Sequence, residues 1–136
     1  SFRALAQSDG KSLRIVIGEM LTLKGDLTAI EQLVSILMDN AIKYSPPNTP
    51  ICLELYRQNR TVILSVVNQT AFSVDESTLS KVFERFYRTD PSRNSSTGGH
   101  GIGLSLAKAI VSAHGGRIMA TTDDGHSFRI TVTFFL

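Results

Sequence analysis

The sequence predicts an α+β fold in which helices cover one face of a mixed sheet, and three observations carry that expectation. Apolar residues recur at three- and four-residue spacing from Leu27 to Ile42, the mark of a helix with one buried face. Two pairs of alternating runs, within Ile51 to Val67 and within Arg117 to Phe135, are each joined by a short polar turn and read as hairpins. A second helical pattern follows a cluster of four glycines at Gly98, Gly99, Gly101 and Gly103. Each of these elements has one apolar face to bury, and laying the helices on one side of the sheet buries them all. At 136 residues and 42% apolar content, a single domain with one core is expected.

Fourteen basic and twelve acidic residues leave a formal charge of +2, so the overall balance carries no nucleic-acid or membrane footprint. A local anion site is still compatible with it. The lone Cys52 cannot form an internal disulfide and fits a reducing, cytoplasmic compartment. There is no run of ~18 apolar residues to span a bilayer, and no signal peptide pattern at the N-terminus. A first residue of Ser1 rather than Met reads as a piece cut from a longer chain.

In chain order, Leu13 to Ile17 and Met20 to Lys24 flank Gly18-Glu19 and are expected to form a small hairpin. Asp26 stands where an N-cap belongs, ahead of the long helix, which should end near Tyr44 before Ser45-Pro46-Pro47. The first hairpin turns at Gln58-Asn59-Arg60, and residues 75 to 82 read as a short helix leading into FERFYR. Thr89 to Gly99 is a Ser/Thr/Gly-rich stretch expected to be a mobile loop. The helix that starts at the glycine cluster carries Leu106, Ala107, Ile110 and Ala113 and stops at Gly115-Gly116. In the last hairpin, Phe128, Ile130, Val132 and Phe134 share one face.

The chemistry concentrates in GGHGIGLSLAK, Gly98 to Lys108. Glycines allow close backbone approach, and a helix start offers unpaired N–H groups and partial positive charge, so the stretch suits an anionic, nucleotide-like ligand. A Rossmann loop would follow a strand directly, whereas this one follows a polar loop, and the P-loop pattern GxxxxGK[ST] does not occur. On the long helix, the Asn40 amide needs a partner and could serve as an oxygen ligand for Mg²⁺, with Lys43 as a phosphate-reaching cation. Phe83, Phe86 and Tyr87 are most simply core anchors beside the mobile loop, which Arg85, Arg88 and Arg93 flank as phosphate contacts. His114 and His126 have no metal-ligand partner at useful spacing and read as structural or solvated.

Taken together, DNAIKYSP (Asp39 to Pro46), FERFYRTDPSR (Phe83 to Arg93) and GGHGIGLSLAKAIVSAHGG (Gly98 to Gly116) resemble the catalytic and ATP-binding domain of bacterial sensor histidine kinases. The resemblance covers essentially the whole chain, residues 1–136, in the right order and spacing. It implies a Bergerat-type two-layer α/β sandwich whose sheet is mostly antiparallel, with ATP and Mg²⁺ as ligands. By the same resemblance, Asn40 is the Mg²⁺-binding Asn of the N box, Lys43 is a phosphate contact and Tyr44 walls the nucleotide. Gly99, Gly101 and Gly103 look like the G2 box, with His100, Ile102 and Leu104 among them as nucleotide-binding residues, Phe83 and Phe86 resemble the F box, and residues 88–99 the ATP lid, to which Arg88 and Arg93 belong as candidate phosphate contacts. The implied partners are a phosphoacceptor and dimerisation helix absent from this sequence and a response regulator. No nucleic acid or direct membrane contact is implied, and the isolated domain should be a monomer in the cytoplasmic portion of a membrane-anchored sensor.

Two departures stand out. The family's adenine box reads DxGxG, and here it is Asn68-Gln69-Thr70-Ala71-Phe72, with Asn68 or Gln69 at the Asp position. A neutral amide can still accept from an adenine amino group, at a loss of about 1 kcal/mol, several-fold in affinity. Ile36, one turn before Asn40, stands where the family often carries a polar residue, so no acid, base or ligand is available there. Phosphoryl transfer rests mainly on positioning and charge stabilisation, which makes that tolerable. The resulting expectation is an ATP-dependent protein-histidine kinase domain, and the alternative is a non-catalytic nucleotide-binding or interaction module.

Overall fold

Alternation at period two and its match across neighbouring strands build the sheet. The computed structural model describes residues 12–17, 27–84 and 103–135. They form β1 (Ser12–Ile17), α1 (Leu27–Tyr44), β2 (Pro50–Gln58), β3 (Thr61–Gln69), α2 (Glu76–Lys81), α3 (Gly103–Ala113), β4 (Arg117–Thr121) and β5 (Ser127–Phe135). The strands make one five-stranded sheet in the order β1-β2-β3-β5-β4. The pairs β2/β3, β3/β5 and β5/β4 are antiparallel, and β1 lies parallel to β2.

The parallel edge is formed by the first strand of the expected N-terminal hairpin. Leu13 to Ile17 is a strand, but it pairs with Ile51 to Leu55, and α1 carries the chain between them. A parallel pair needs such a crossover, whereas a hairpin needs only a tight turn, and a short apolar run looks alike in both. The expected second strand at residues 20–24 and the Asp26 cap lie outside the described residues.

One face of the sheet is the core. Leu64 and Val66 of β3 and Ile130 and Val132 of β5 stand on it, and Leu33, Leu37, Met38 and Ala41 of α1 pack over them almost fully buried. Glu31, Gln32, Asp39 and Lys43 take the solvent side of α1. α3 adds Ala107, Ile110 and Val111 to the same layer. The opposite face carries Glu54, Tyr56, Thr131 and Arg129, where Arg129 Nη1 donates to Ser65 Oγ at 2.8 Å. One dry and one wet face is ordinary for an antiparallel sheet. No described helix is long and apolar enough to cross a membrane.

Local chemistry ends each helix where the sequence says it should. Asp75 caps α2 by accepting from Thr78 N at 2.9 Å, and that bond holds its carboxyl below the usual range. α3 stops in a Schellman turn: Gly116 N donates to Val111 O at 2.9 Å, Gly115 N to Ser112 O at 3.0 Å, and Gly115 has φ +69°. His114 closes the same end, with Nδ1 2.9 Å from Ile110 O and its ring edge-on to Phe134.

The two glycines have different reasons to be there. A Cβ on Gly116 would lie 2.7 Å from Thr133 O and 3.0 Å from Val111 Cγ1, whereas one on Gly115 would meet nothing within 4 Å. Gly116→Ala should therefore cost about 1–3 kcal/mol of unfolding free energy through overpacking. Gly115→Asn, which the left-handed backbone tolerates, should cost clearly less. Urea denaturation followed by circular dichroism checks the order, and an unchanged midpoint for Gly116→Ala would contradict the close approach.

Candidate functional site

Two rows of core residues end in polar side chains at the same place. On α1, Asn40 and Tyr44 are half-buried and one turn apart on a flank of the apolar stripe. On β3, the core-facing row Val62, Leu64 and Val66 continues into Asn68, only 3% exposed. Pairing across the sheet sets Phe128 of β5 opposite Asn68. With Thr70 and Phe72 from the following loop, these residues line a small, open hollow.

Asn68 is polar in a dry position and is partly satisfied. Its Nδ2 donates to Gln69 O at 2.8 Å, and no described residue donates to its Oδ1. The amide therefore brings a buried acceptor to the hollow's lining. Gln69 is exposed and does not line the hollow. Thr70, 8% exposed, turns its hydroxyl back to Phe72 O at 2.6 Å. Neither Thr70 nor Phe72 has a positive φ, so this loop does not need glycine for its backbone. The side chains of Thr70 and Phe72 thus become wall on a backbone with no left-handed residue.

The start of α3 is brought to the same helix. A Cβ placed on Gly103 would lie 3.6 Å from Ile36 Cγ2, one turn before Asn40 on α1. Leu104 behind it packs on the core, which fixes the helix by its apolar side. The first turn of a helix carries free N–H groups and partial positive charge. Lys43 is exposed, three residues beyond Asn40, and is not among the residues lining the hollow.

Several expected site residues fall elsewhere. Arg85, Phe86, Tyr87, Arg88, Arg93, Gly99, His100, Gly101 and Ile102, with the lid at 88–99, lie outside the described residues. Phe83 is half-buried and packs on the core. His126 is exposed on the β4–β5 turn. Sequence reasoning passed over Phe128 as a wall residue, because alternation marks it only as core; its pairing with Asn68 is a register fact.

Among solved structures, the mycobacterial sensor histidine kinase MprB superposes with a TM-score of 0.81 at 23% identity, covering 97% of this chain and 88% of that one. Full-length ShkA, solved in complex with AMPPNP, gives 0.82 at 19% identity, covering 98% of this chain and 27% of that one. Both share the fold of this chain. Sensor histidine kinase YkoH of Bacillus subtilis is 40% identical over 116 residues, 85% of this chain and 25% of its own length. Signal transduction histidine-protein kinase BaeS of Escherichia coli is 35% identical over 132 residues, 97% of this chain and 28% of its own length.

Residues 25–136 match the family described as histidine kinase-, DNA gyrase B-, and HSP90-like ATPase. The chain belongs to that family, and within it to the catalytic, ATP-binding domains of bacterial sensor histidine kinases. It spans about a quarter of the length of the curated relatives it matches.

The pinned amide yields a test that needs no ligand. Asn68→Asp puts a carboxylate where no described residue donates and where the Gln69 carbonyl is 2.8 Å from the amide nitrogen it replaces. The new carboxyl should titrate above its unfolded value, so the variant keeps its stability at low pH and loses it as pH rises through the folded pKa. At pH 8 the loss should be about 1–3 kcal/mol. Urea unfolding at pH 4.5 and pH 8 reads it, and equal stability losses at both would contradict the picture.

Proposed function

We propose that this chain binds Mg-ATP and, with a phosphoacceptor domain outside this sequence, transfers the γ-phosphoryl group to a histidine there. The observation that carries the reading is the convergence on one stretch of α1: Asn40 and Tyr44 at the hollow shared with Asn68, and the start of α3 against Ile36. The names of the sensor kinases YkoH and BaeS support it, as does the AMPPNP bound by ShkA.

In this reading the buried Asn68 Oδ1 accepts from the exocyclic amino group of adenine, while Tyr44, Phe72 and Phe128 wall the base. Asn40 supplies one hard oxygen to Mg²⁺. Mg²⁺ is a hard cation that keeps several waters and takes few protein oxygens, so a single amide oxygen from Asn40 would suit it. When bound there, the ion would supply positive charge that offsets that of the phosphates. The helix start at Gly103, with Gly99 to Ile102 before it, offers N–H groups to the phosphates, and Lys43, Arg88 and Arg93 add positive charge.

The bond from the γ-phosphorus to the β,γ-bridging oxygen breaks, a P–N bond to the imidazole forms, and ADP leaves. Ile36 offers no base, and the acceptor imidazole is its own nucleophile. Residues 88–99 act as the lid. The phosphohistidine then serves a response regulator, placing the domain in a cytoplasmic arm of two-component signalling, monomeric when isolated.

Calorimetric titration with Mg-ATP, followed by addition of the phosphoacceptor domain and labelled ATP, tests the reading. Binding and transfer are expected. Binding without transfer would leave a non-catalytic nucleotide module, the reading that Ile36 and the altered adenine box favour, and no binding would discard both. Asn40→Ala should cut transfer by at least about 100-fold with the unfolding midpoint retained, and unchanged phosphorylation would remove Asn40 from the metal role. Asn68→Ala should weaken ATP binding by about fivefold, measured in the same calorimetry.

A further inference from the structure

The loop that walls the hollow on the strand side is held by the β4–β5 turn, at the opposite end of β5 from the chain terminus. Thr70 N donates to His126 O at 2.9 Å, and Val74 N donates to Gly125 O at 2.7 Å. These two bonds bracket Phe72, whose carbonyl is in turn bonded to Thr70 Oγ1. The turn itself is built to present those carbonyls. Gly125 has φ +83°, and its N–H reaches Thr122 Oγ1 at 2.9 Å. His126 N donates to Asp124 Oδ1 at 2.9 Å, and Asp123 N to Ser127 Oγ at 3.2 Å. On its outer side, Asp123 Oδ2 pairs with Arg129 at 3.2 Å, tying the turn to the wet face of the sheet.

We infer that Gly125 is a positioning residue for nucleotide-base binding: the β4–β5 turn sets Thr70 and Phe72 against the base through two backbone hydrogen bonds, and the left-handed conformation of Gly125 sets the turn. The inference rests on the proposed ATP reading and adds to it a residue that never touches the ligand. It explains how an adenine box without its glycines keeps a defined wall. With side chains at 70 and 72 lining the hollow, a displaced loop would move Thr70 or Phe72 into the space or away from it. A loop fastened at both ends holds the wall in register with Asn68.

Gly125 is well suited to a clean test, because a Cβ there would meet nothing within 4 Å. Gly125→Ala adds no clash and changes only the backbone preference, since a left-handed φ is costly for Ala. Relief of that cost moves the carbonyls of residues 125 and 126 off their partners. Gly125→Asn, which visits the left-handed region more readily, should restore much of the wild-type behaviour. Two ligands separate the base side from the phosphate side: Mg-ATP and Mg-tripolyphosphate, each titrated by calorimetry into the wild-type chain and both variants.

Gly125→Ala should weaken Mg-ATP by about fivefold or more while Mg-tripolyphosphate binds as before, and Gly125→Asn should recover most of the loss. Equal losses on both ligands would overturn the inference, because a general loosening of the fold does not distinguish base from phosphates. Undiminished ATP binding in Gly125→Ala would overturn it too. A wild-type chain that binds tripolyphosphate but gains nothing from the base, or binds neither ligand, would instead sink the ATP reading, and the inference with it.

Discussion

The packing of α1 on β3 is the interaction on which the rest depends. Leu33, Leu37 and Ala41 stack over the row Val62, Leu64, Val66, and those side chains are almost fully buried. Burial at about 25 cal/mol per Å² makes this contact the dominant local driving force, and close packing leaves little freedom to slide. Once the apolar rows are matched, the polar residues that end them have no choice of place. Asn40 and Tyr44 on the helix and Asn68 on the strand arrive at one hollow because Leu37, Ala41 and Val66 arrive at one core. The site is a by-product of register on both elements.

That dependence also explains what could be read in advance. The extent of α1 and the hairpin of β2 with β3 follow from local periodicity, and the turn with Asn59 at φ 57° suits a residue that tolerates the left-handed region. Gly115-Gly116 likewise mark the end of α3 by local chemistry. The neighbours of β1 and of β5 are different in kind. Pairing of Leu13 with Ile51 and of Asn68 with Phe128 joins residues far apart in sequence, and alternation specifies only which face a residue takes. Neither the partner of β1 nor the place of Phe128 in the hollow's wall is legible from alternation, for that reason.

The site was legible to the extent that it lies in contiguous motifs. DNAIKYSP marks the helix flank and the glycine box marks a helix start, since each carries its own local geometry. The approach of Gly103 to Ile36 could not be read, because it is set by α3 packing on α1. Nor could the fastening of Thr70 and Val74 to residues 125 and 126, which are main-chain contacts that no side-chain pattern marks. Side-chain patterns are silent about bonds the backbone makes with itself.

The altered adenine box then has a consistent physical account. A carboxylate at position 68, at 3% exposure, would have to be kept charged by donors, and no described residue donates to the Oδ1 there. An amide needs less: its donor is pinned to the Gln69 carbonyl, and its acceptor carries no charge to desolvate. It forfeits the extra strength of a charged acceptor and avoids the desolvation of a charge. The same trade recurs at positions 70 and 72. Glycines would leave room but also leave a loop free to wander, whereas Thr70 and Phe72 take up room in conformations that need no positive φ. A filled wall is useful only if it is held still, and here the bonds to the β4–β5 turn hold it. Loss of glycine at the site and possession of glycine at 125 are therefore two halves of one arrangement, in which the conformational freedom the pocket gave up is used where the turn is made.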